Sequence, residues 1–229
     1  MHNREISDIF FDLDHTLWDF DRNSELAFER VFRKYNIELP IKVFLKEYEP
    51  INLIYWKKYS EERITKEELR RGRLTEAFDI FKLKFSLETI DALAVCYIEE
   101  LPVDNHLLIG TLEILEYLSE KYTLHIITNG FEEVQYLKLN NSGIKKYFST
   151  ITTSEEVGSK KPNPVIFETA LTKASATAKN SLMIGDSFEA DIKGAENAGM
   201  QTLFFNCRKE EVEPRYFAIN ELSEIKNHL

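Results

Sequence analysis

Carboxylates stand at two places in the sequence where a short apolar run ends. Asp12 and Asp14 follow the apolar residues 9–11, and Asp186 and Asp191 follow a second apolar run. Side chains two residues apart in extended backbone point the same way, so Asp12 and Asp14 would face one site. Four carboxylates at one site would repel one another unless a hard cation such as Mg²⁺ lay among them. The pattern therefore indicates a magnesium site, with a charged loop and a capped helix as simpler alternatives for the two pairs.

Groups that could bind phosphate follow at two further places. Thr128 and Asn129 end the apolar run 124–127 and precede a helical pattern. A hydroxyl and free backbone N–H groups at a helix N-terminus suit a phosphate oxygen. Lys160 and Lys161 stand in a loop before another helical pattern, and one of them could supply a fixed positive charge. Taken in isolation, these residues could equally be turn, cap and surface residues.

A parallel sheet must position these residues. Short apolar runs rich in β-branched and aromatic residues alternate with helical patterns, which predicts an α/β fold with a doubly wound parallel sheet. The predicted strands are residues 9–11, 124–127, 149–153, 182–184 and 201–205. Ligands of such sheets bind at the carboxyl ends of the strands, and Asp12, Thr128 and Asp186 stand there.

A long helical segment interrupts this alternation after the first strand. Between residues 18 and 103 the signals are all helical, and they include N-cap patterns at Thr65 and Ser86. A structureless loop of that length would be implausible in a compact protein. We therefore predict an all-helical domain at residues 18–103, inserted into a core of residues 1–17 and 104–229.

Taken together, four segments resemble the haloacid dehalogenase-like (HAD) hydrolase superfamily in their order, residue types and strand placement. These segments are Asp12–Thr16, Ile127–Gly130, Val157–Pro164 and Gly185–Met200. The helical insert looks like the cap domain of that superfamily. The resemblance implies a Rossmann-like core with an inserted helical cap that closes over the leaving group.

The resemblance also implies covalent phosphoryl chemistry. Asp12 matches the nucleophile that would attack phosphorus and form an aspartyl-phosphate. Asp14 matches the general acid/base that would protonate the leaving alkoxide and then activate water. Since expulsion of a halide needs no proton, an acid at position 14 argues against cleavage of a carbon–halogen bond. The implied activity is that of a Mg²⁺-dependent phosphomonoester hydrolase.

The other motif residues match phosphate and metal ligands. Thr128 and Lys161 match the phosphate-binding residues, with Asn129 beside them, and Lys161 fits this role better than Lys160 because it directly precedes a proline. The implied metal ligands are Asp12, Asp14 through its backbone carbonyl, Asp186, and Asp191 either directly or through water.

The helical insert looks like the cap of the HAD pyrimidine 5′-nucleotidases. The resemblance is carried by residues 51–56 and by Gly72-Arg73, while Glu62 stands where those proteins often have glycine. It implies a pyrimidine nucleoside monophosphate as substrate. The candidate contacts are stacking of a base on Trp56 or Tyr55, recognition of its polar edge by Asn52, and an ionic contact from Arg73. Packing within the cap, including a salt bridge of Arg73, is the alternative for all four.

Composition excludes several other classes of protein. The 229 residues carry 29 Lys+Arg against 39 Asp+Glu, a net charge of −10. This acidity disfavours binding to polymeric nucleic acid or to a membrane surface. The N-terminus does not look like a signal peptide, so we expect a cytoplasmic protein. We also expect it to be a monomer or homodimer that acts on a small molecule. The alternatives left open are a phosphatase for a small sugar phosphate or phosphoglycolate and a catalytically idle binding module.

Overall fold

The chain folds into two compact units. In a computed structural model, residues 5–229 are described, and residues 1–4, which begin the segment predicted not to be a signal peptide, lie outside the described residues. One unit, the core, contains residues 5–20 together with Asn105–Leu229, and the other, the helical unit, contains Asp21–Asp104. Among residues 5–229, no helix combines the length and the apolarity needed to span a bilayer.

The core ends at Phe20 and resumes at Asn105, three residues and one residue later than the predicted boundaries after residues 17 and 103. The backbone N–H of Asp19 donates to the carbonyl of His106 at 3.0 Å, and that of Leu108 donates to the carbonyl of Leu17 at 2.9 Å. The chain segments that leave and re-enter the core are therefore hydrogen-bonded to each other. This pairing keeps residues 18–20 with the core.

A parallel sheet forms the centre of the core. Within the described residues it has six strands: β1 (Asp8–Phe11), β2 (Thr123–Thr128), β3 (Phe148–Thr153), β4 (Ser181–Gly185), β5 (Gln201–Phe205) and β6 (Ala218–Ile219). The spatial order is β3-β2-β1-β4-β5-β6, so the chain builds outwards from β1 in both directions. This arrangement confirms the predicted doubly wound α/β fold. The five predicted strands are all present, and β6, which has two residues, was not predicted.

The register of the sheet places the carboxyl ends of β1, β2 and β4 side by side. Phe11 pairs with Ile126 of β2 and with Ile184 of β4. Ile9, Phe10 and Phe11 are all fully buried, although successive strand side chains point to opposite faces. Both faces of β1 are therefore covered, which explains its continuous apolar sequence.

Four helices account for the helical unit. They are α1 (Phe20–Lys34), α2 (Ile41–Ser60), α3 (Lys66–Ile80) and α4 (Leu87–Glu100). The predicted N-caps are confirmed: Thr65 forms a capping box with Glu68 at the start of α3, and the Ser86 hydroxyl accepts from the Thr89 N–H at the start of α4. Glu62 has φ 58°, in the left-handed region that favours glycine. This conformation gives a physical reason for glycine at that position in similar caps.

The interior of the helical unit is aromatic. The Phe28 ring stacks on Tyr97 at 4.2 Å between centroids, and the Phe44 ring stacks on Phe78 at 5.2 Å. These rings are buried within the unit. The unit therefore has a core of its own, as expected of a domain.

The remaining helices belong to the core and connect its strands. They are α5 (Thr111–Ser119), α6 (Glu132–Asn141), α7 (Ser154–Val157), α8 (Pro164–Ala174) and α9 (Gly194–Asn197). A π-helical turn, Phe188–Lys193, precedes α9. The predicted motifs lie in the segments that follow β1, β2 and β4 and in the loop between α7 and α8.

His125, which is buried in β2, should make the stability of the protein sensitive to acid. Its Nδ1 lies 2.8 Å from Thr150 Oγ1, its Nε2 lies 3.1 Å from Asp8 Oδ1, and its ring stacks on Phe10. Burial lowers the pKa of His125, and Asp8 only partly opposes this. The neutral form is thus favoured in the folded state. The resulting stability is present above the unfolded pKa of about 6.5 and is lost as the pH falls towards the folded pKa.

Urea unfolding between neutral pH and about pH 5.5 tests this expectation. The free energy of unfolding should fall more steeply in the wild type than in His125→Gln, which cannot titrate. The control is His228→Gln, because His228 lies in the C-terminal turn. Equal pH slopes for wild type and His125→Gln would contradict the prediction.

Candidate active site

Three carboxylates meet at the carboxyl ends of β1 and β4. Asp12 follows β1, Asp186 follows β4, and Asp191 lies in the π-helical turn. Each offers an oxygen that lies within 4.8 Å of the others. A side chain at Gly185 would not fit, because its Cβ would lie 2.3 Å from Asp191 Oδ2. Glycine at this position therefore lets Asp191 approach the end of β4, where the backbone N–H of Ser187 also binds it.

A buried lysine joins two of these carboxylates. Lys161 Nζ donates to Asp12 Oδ1 and to Asp191 Oδ1, both at 2.6 Å, and to the carbonyl of Ile127 at 2.8 Å. The residue is 2% exposed. It is thus Lys161, the lysine that sequence analysis preferred over Lys160, that lies among the carboxylates.

Asn129 holds the backbone of this lysine. Its Oδ1 accepts from the Lys161 N–H at 2.8 Å, and its Nδ2 donates to the Lys161 carbonyl at 3.0 Å. The resemblance implies that Asn129 is a phosphate-binding residue. In the structure its side chain fixes the loop that carries Lys161, because one amide side chain can pair with both the backbone N–H and the backbone carbonyl of a residue.

Burial dominates the electrostatics of the cluster. It raises the pKa of Asp12 to about 7, with Lys161 opposing and Asp191 adding to the rise. It also raises the pKa of Asp186 well above the usual value, as do the two neighbouring carboxylates. The guanidinium of Arg208, which sequence analysis did not single out, lies 3.6 Å from Asp186 and partly opposes this rise. The cluster therefore favours a cation.

Lys161 keeps its positive charge in this environment. Burial alone would lower the pKa of its ammonium group. Asp12 and Asp191 outweigh that effect and raise the pKa above its usual value. Lys161 therefore stays protonated and presents a fixed positive charge.

The side chain of Asp14 is held by two residues that sequence analysis missed. Lys138 Nζ donates to Asp14 Oδ1 at 2.6 Å, and Gln135 Nε2 donates to Asp14 Oδ2 at 2.8 Å. Gln135 and Lys138 are three residues apart on α6 and are both buried. Polar residues at helical spacing are typical of a solvated face, so the sequence carried no signal that distinguished them.

Thr128 lies next to this group at the end of β2. Its Oγ1 accepts from the Gly130 N–H at 3.0 Å and from Gln135 Nε2 at 2.8 Å. A Cβ at Gly130 would lie 1.6 Å from Gln135 Nε2. The glycine of this motif therefore makes room for the Gln135 amide, which links Thr128 to Asp14.

The four candidate substrate residues of the helical unit are placed differently from one another. Arg73 is buried, and its Nη1 donates to Asn52 Oδ1 at 2.8 Å. Arg73 and Asn52 thus pair inside the unit, with the Arg73 guanidinium 5.3 Å from the centre of the Tyr97 ring. Tyr55 and Trp56 are half-buried. The structure therefore brings Asn52 and Arg73 together, as the packing alternative for these two residues predicts.

The chemistry of the donor set fits a magnesium ion. Asp12, Asp186 and Asp191 offer hard carboxylate oxygens, which Mg²⁺ prefers over nitrogen or sulfur ligands. Lys161 supplies a second positive charge on the same carboxylates. A carboxylate and a hydroxyl at adjacent strand ends, with a fixed ammonium group beside the carboxylate, are suited to binding and attack of an anionic ester.

Comparison with known proteins agrees with this chemistry. Residues 9–205 match the family described as haloacid dehalogenase-like hydrolase. The chain is 34% identical over 208 residues to pyrimidine 5′-nucleotidase YjjG of Escherichia coli K12, covering 89% of this chain and 87% of that protein. It is 31% identical over 207 residues to a glyceraldehyde 3-phosphate phosphatase of Pyrococcus abyssi, covering 88% and 82%.

A solved structure is similar over almost the full length. HAD-hydrolase YfnB of Bacillus subtilis, crystallised with bound magnesium, aligns with a TM-score of 0.90 and 28% identity, covering 99% of both chains. Fold, site and relatives agree on one family. The chain belongs to the haloacid dehalogenase-like hydrolases and is an enzyme.

Proposed function

We propose that the protein is a Mg²⁺-dependent phosphomonoester hydrolase that acts through an aspartyl-phosphate on pyrimidine nucleoside 5′-monophosphates. The observation that carries the proposal is the position of Asp12, which lies at the end of β1 within 4.8 Å of two further carboxylates and in contact with the Lys161 ammonium group. A carboxylate so placed has the charge partners that attack on a phosphate ester requires.

In this proposal Asp12, Asp186 and Asp191, with the backbone carbonyl of Asp14, would hold the metal ion. Bound Mg²⁺ supplies positive charge that offsets the charge of the phosphate oxygens. Lys161 supplies a second positive charge. The Thr128 hydroxyl, which accepts its two hydrogen bonds through oxygen, donates its proton to a phosphate oxygen.

The reaction then proceeds in two displacements at phosphorus. A carboxylate oxygen of Asp12 forms a bond to phosphorus as the bond from phosphorus to the ester oxygen breaks. Asp14 gives a proton to the leaving oxygen. It next takes a proton from the water that attacks the aspartyl-phosphate, which releases inorganic phosphate and free Asp12.

The choice of a pyrimidine nucleotide is supported by the relative from Escherichia coli, whose name states that specificity. The helical unit is the part of this chain that we propose to select the base. Tyr55 and Trp56, which are half-buried on α2, would stack on the base, and the buried pair of Asn52 and Arg73 joins α2 to α3. A sugar phosphate is the second candidate, because the relative from Pyrococcus abyssi is named for glyceraldehyde 3-phosphate.

A substrate panel tests the proposal. We expect Mg²⁺-dependent turnover that stops in excess EDTA, with a higher kcat/KM for UMP and dTMP than for AMP, glyceraldehyde 3-phosphate, phosphoglycolate or hexose phosphates. AMP is the matched control, because it changes the base and keeps the ribose 5′-phosphate. A higher kcat/KM for a sugar phosphate would overturn the nucleotide assignment. Failure to hydrolyse any ester, including aryl phosphates, would favour the binding-module alternative.

A further inference from the structure

Helix α6 engages both oxygens of the Asp14 carboxylate. Lys138 Nζ donates to Oδ1 and Gln135 Nε2 donates to Oδ2. The two donors are buried, whereas the Asp14 side chain is 22% exposed. A carboxylate bonded at both oxygens by groups on one helix has little freedom to rotate.

The two donors are themselves held in place. Lys138 Nζ lies 4.1 Å from the centre of the Trp18 ring and 5.1 Å from that of Phe20, so its ammonium group rests on two aromatic rings. The Gln135 amide is also bonded to Thr128 Oγ1, in the space left by the missing side chain of Gly130. The position of Asp14 is therefore set by the same helix that follows Thr128.

The two carboxylates of the segment Asp12–Thr16 have separate cationic partners. Lys161 contacts Asp12, and Lys138 contacts Asp14. The Asp14 side chain is accordingly bonded outside the cluster of three carboxylates that fits the metal. Burial of an ammonium group is costly unless it is paired, so the buried Lys138 depends on Asp14 as its partner.

We propose that Gln135 and Lys138 are positioning residues that orient the Asp14 carboxyl for proton transfer to the leaving oxygen. The proposal rests on the proposed function, in which Asp14 serves the leaving group. It assigns Gln135 and Lys138 to the proton transfer from Asp14, and not to the binding of phosphate or to the attack of Asp12 on phosphorus. Their effect should therefore depend on how much the leaving group needs a proton.

Leaving groups differ strongly in this need. The alkoxide released from UMP is a strong base, and its departure depends on a donated proton. The 2,4-dinitrophenolate ion is a weak base that leaves without one. The ratio of kcat/KM for UMP to kcat/KM for 2,4-dinitrophenyl phosphate therefore reports on proton donation. Since kcat/KM covers only steps up to the first irreversible one, it is insensitive to the later hydrolysis of the aspartyl-phosphate.

The experiment compares Lys138→Met and Gln135→Leu, which keep the approximate shape of each side chain, with the wild type. We expect kcat/KM for UMP to fall by about 30-fold or more and that for 2,4-dinitrophenyl phosphate by less than about three-fold. If UMP is not turned over, the best alkyl ester of the substrate panel replaces it. Turnover of the dinitrophenyl ester by the same preparation shows that the variant has folded.

Four further variants sharpen the test. Asp14→Asn should show the same selective loss, and adding Lys138→Met to it should cause little further loss, because both changes act through one carboxyl group. Lys138→Arg retains a cationic donor and should recover part of the activity on UMP. Lys145→Met, which removes an exposed lysine just after α6, is the matched control and should behave as the wild type.

Several results would overturn the proposal. An equal loss on both esters would mean that Lys138 supports binding or the fold in general. A full additional loss in the Asp14→Asn background would mean that it acts independently of Asp14. Hydrolysis of neither ester by the wild type would remove the proposed function and this inference with it, which separates that failure from the other two.

Discussion

Replacement of Asp12 by Asn should reduce kcat by roughly 10⁴-fold or more, the scale seen when a covalent nucleophile is removed. The amide of Asn has almost the same shape as the carboxylate, but it cannot form the aspartyl-phosphate. It retains an oxygen that can accept the bond now donated by Lys161 Nζ at 2.6 Å. We therefore expect the fold to survive while turnover is lost.

The measurement is kcat on the best substrate of the panel, accompanied by circular dichroism and urea unfolding. Asp8→Asn is the matched control, because it makes the same chemical change at the opposite end of the same strand. This control should retain most of the activity. Full activity in Asp12→Asn would end the mechanism proposed for this enzyme, whatever its substrate.

Replacement of Lys161 by Met should impair stability and catalysis together. Without Mg²⁺, the change leaves Asp12 and Asp191 without the ammonium group that now bonds both, and removal of one partner of a buried ion pair costs about 3–5 kcal/mol. The loss of a fixed positive charge from the proposed phosphate site should lower kcat/KM by about 10²–10³-fold. Added Mg²⁺ should restore part of the stability, because it offsets the same carboxylates.

Urea unfolding in EDTA and in Mg²⁺, together with kcat/KM in Mg²⁺, tests this second prediction. Lys160→Met is the control, since it removes the neighbouring lysine, which is half-buried in the structure. It should have a small effect on both quantities. Similar effects of the two substitutions would contradict the assignment of the phosphate-binding charge to Lys161.

The main features of the fold and of the carboxylate cluster could be predicted because they depend on local sequence patterns. The predicted strands are short runs rich in β-branched or aromatic residues, and β1 and β4 are each followed directly by a carboxylate. The parallel topology then brings Asp12 and Asp186 to the same edge of the sheet. The two-residue β6 was not predicted, although it lies in a short apolar run, residues 216–219.

The residues that surround the motifs could not be predicted, because their roles depend on distant partners. Gln135 and Lys138 acquire theirs from Asp14, which lies more than 120 positions earlier in the chain. Asn129 stands next to Thr128, which we propose to bind phosphate, but the Asn129 side chain is bonded to the backbone of Lys161. A hydrophobic pattern specifies which face of an element is buried, and it does not specify which polar groups will meet there.

The candidate substrate residues illustrate the same limit within a single domain. The sequence favoured neither substrate contact nor internal packing for Asn52 and Arg73. Their pairing at 2.8 Å in the interior of the helical unit arises between α2 and α3, which cross at positions that spacing alone does not fix. The experiments on substrate choice therefore begin best with Tyr55 and Trp56, which are half-buried.

The paired segments at the base of the insertion have a consequence for how such enzymes can diversify. The chain departs and returns at two points joined by the hydrogen bond between Asp19 and His106. A short turn could therefore close this gap, and an insert of another length could fill it, without rerouting any strand of the sheet. Natural or designed exchange of the whole insert would leave the carboxylates that follow β1 and β4 in place, and under the proposed function it would change which esters are accepted.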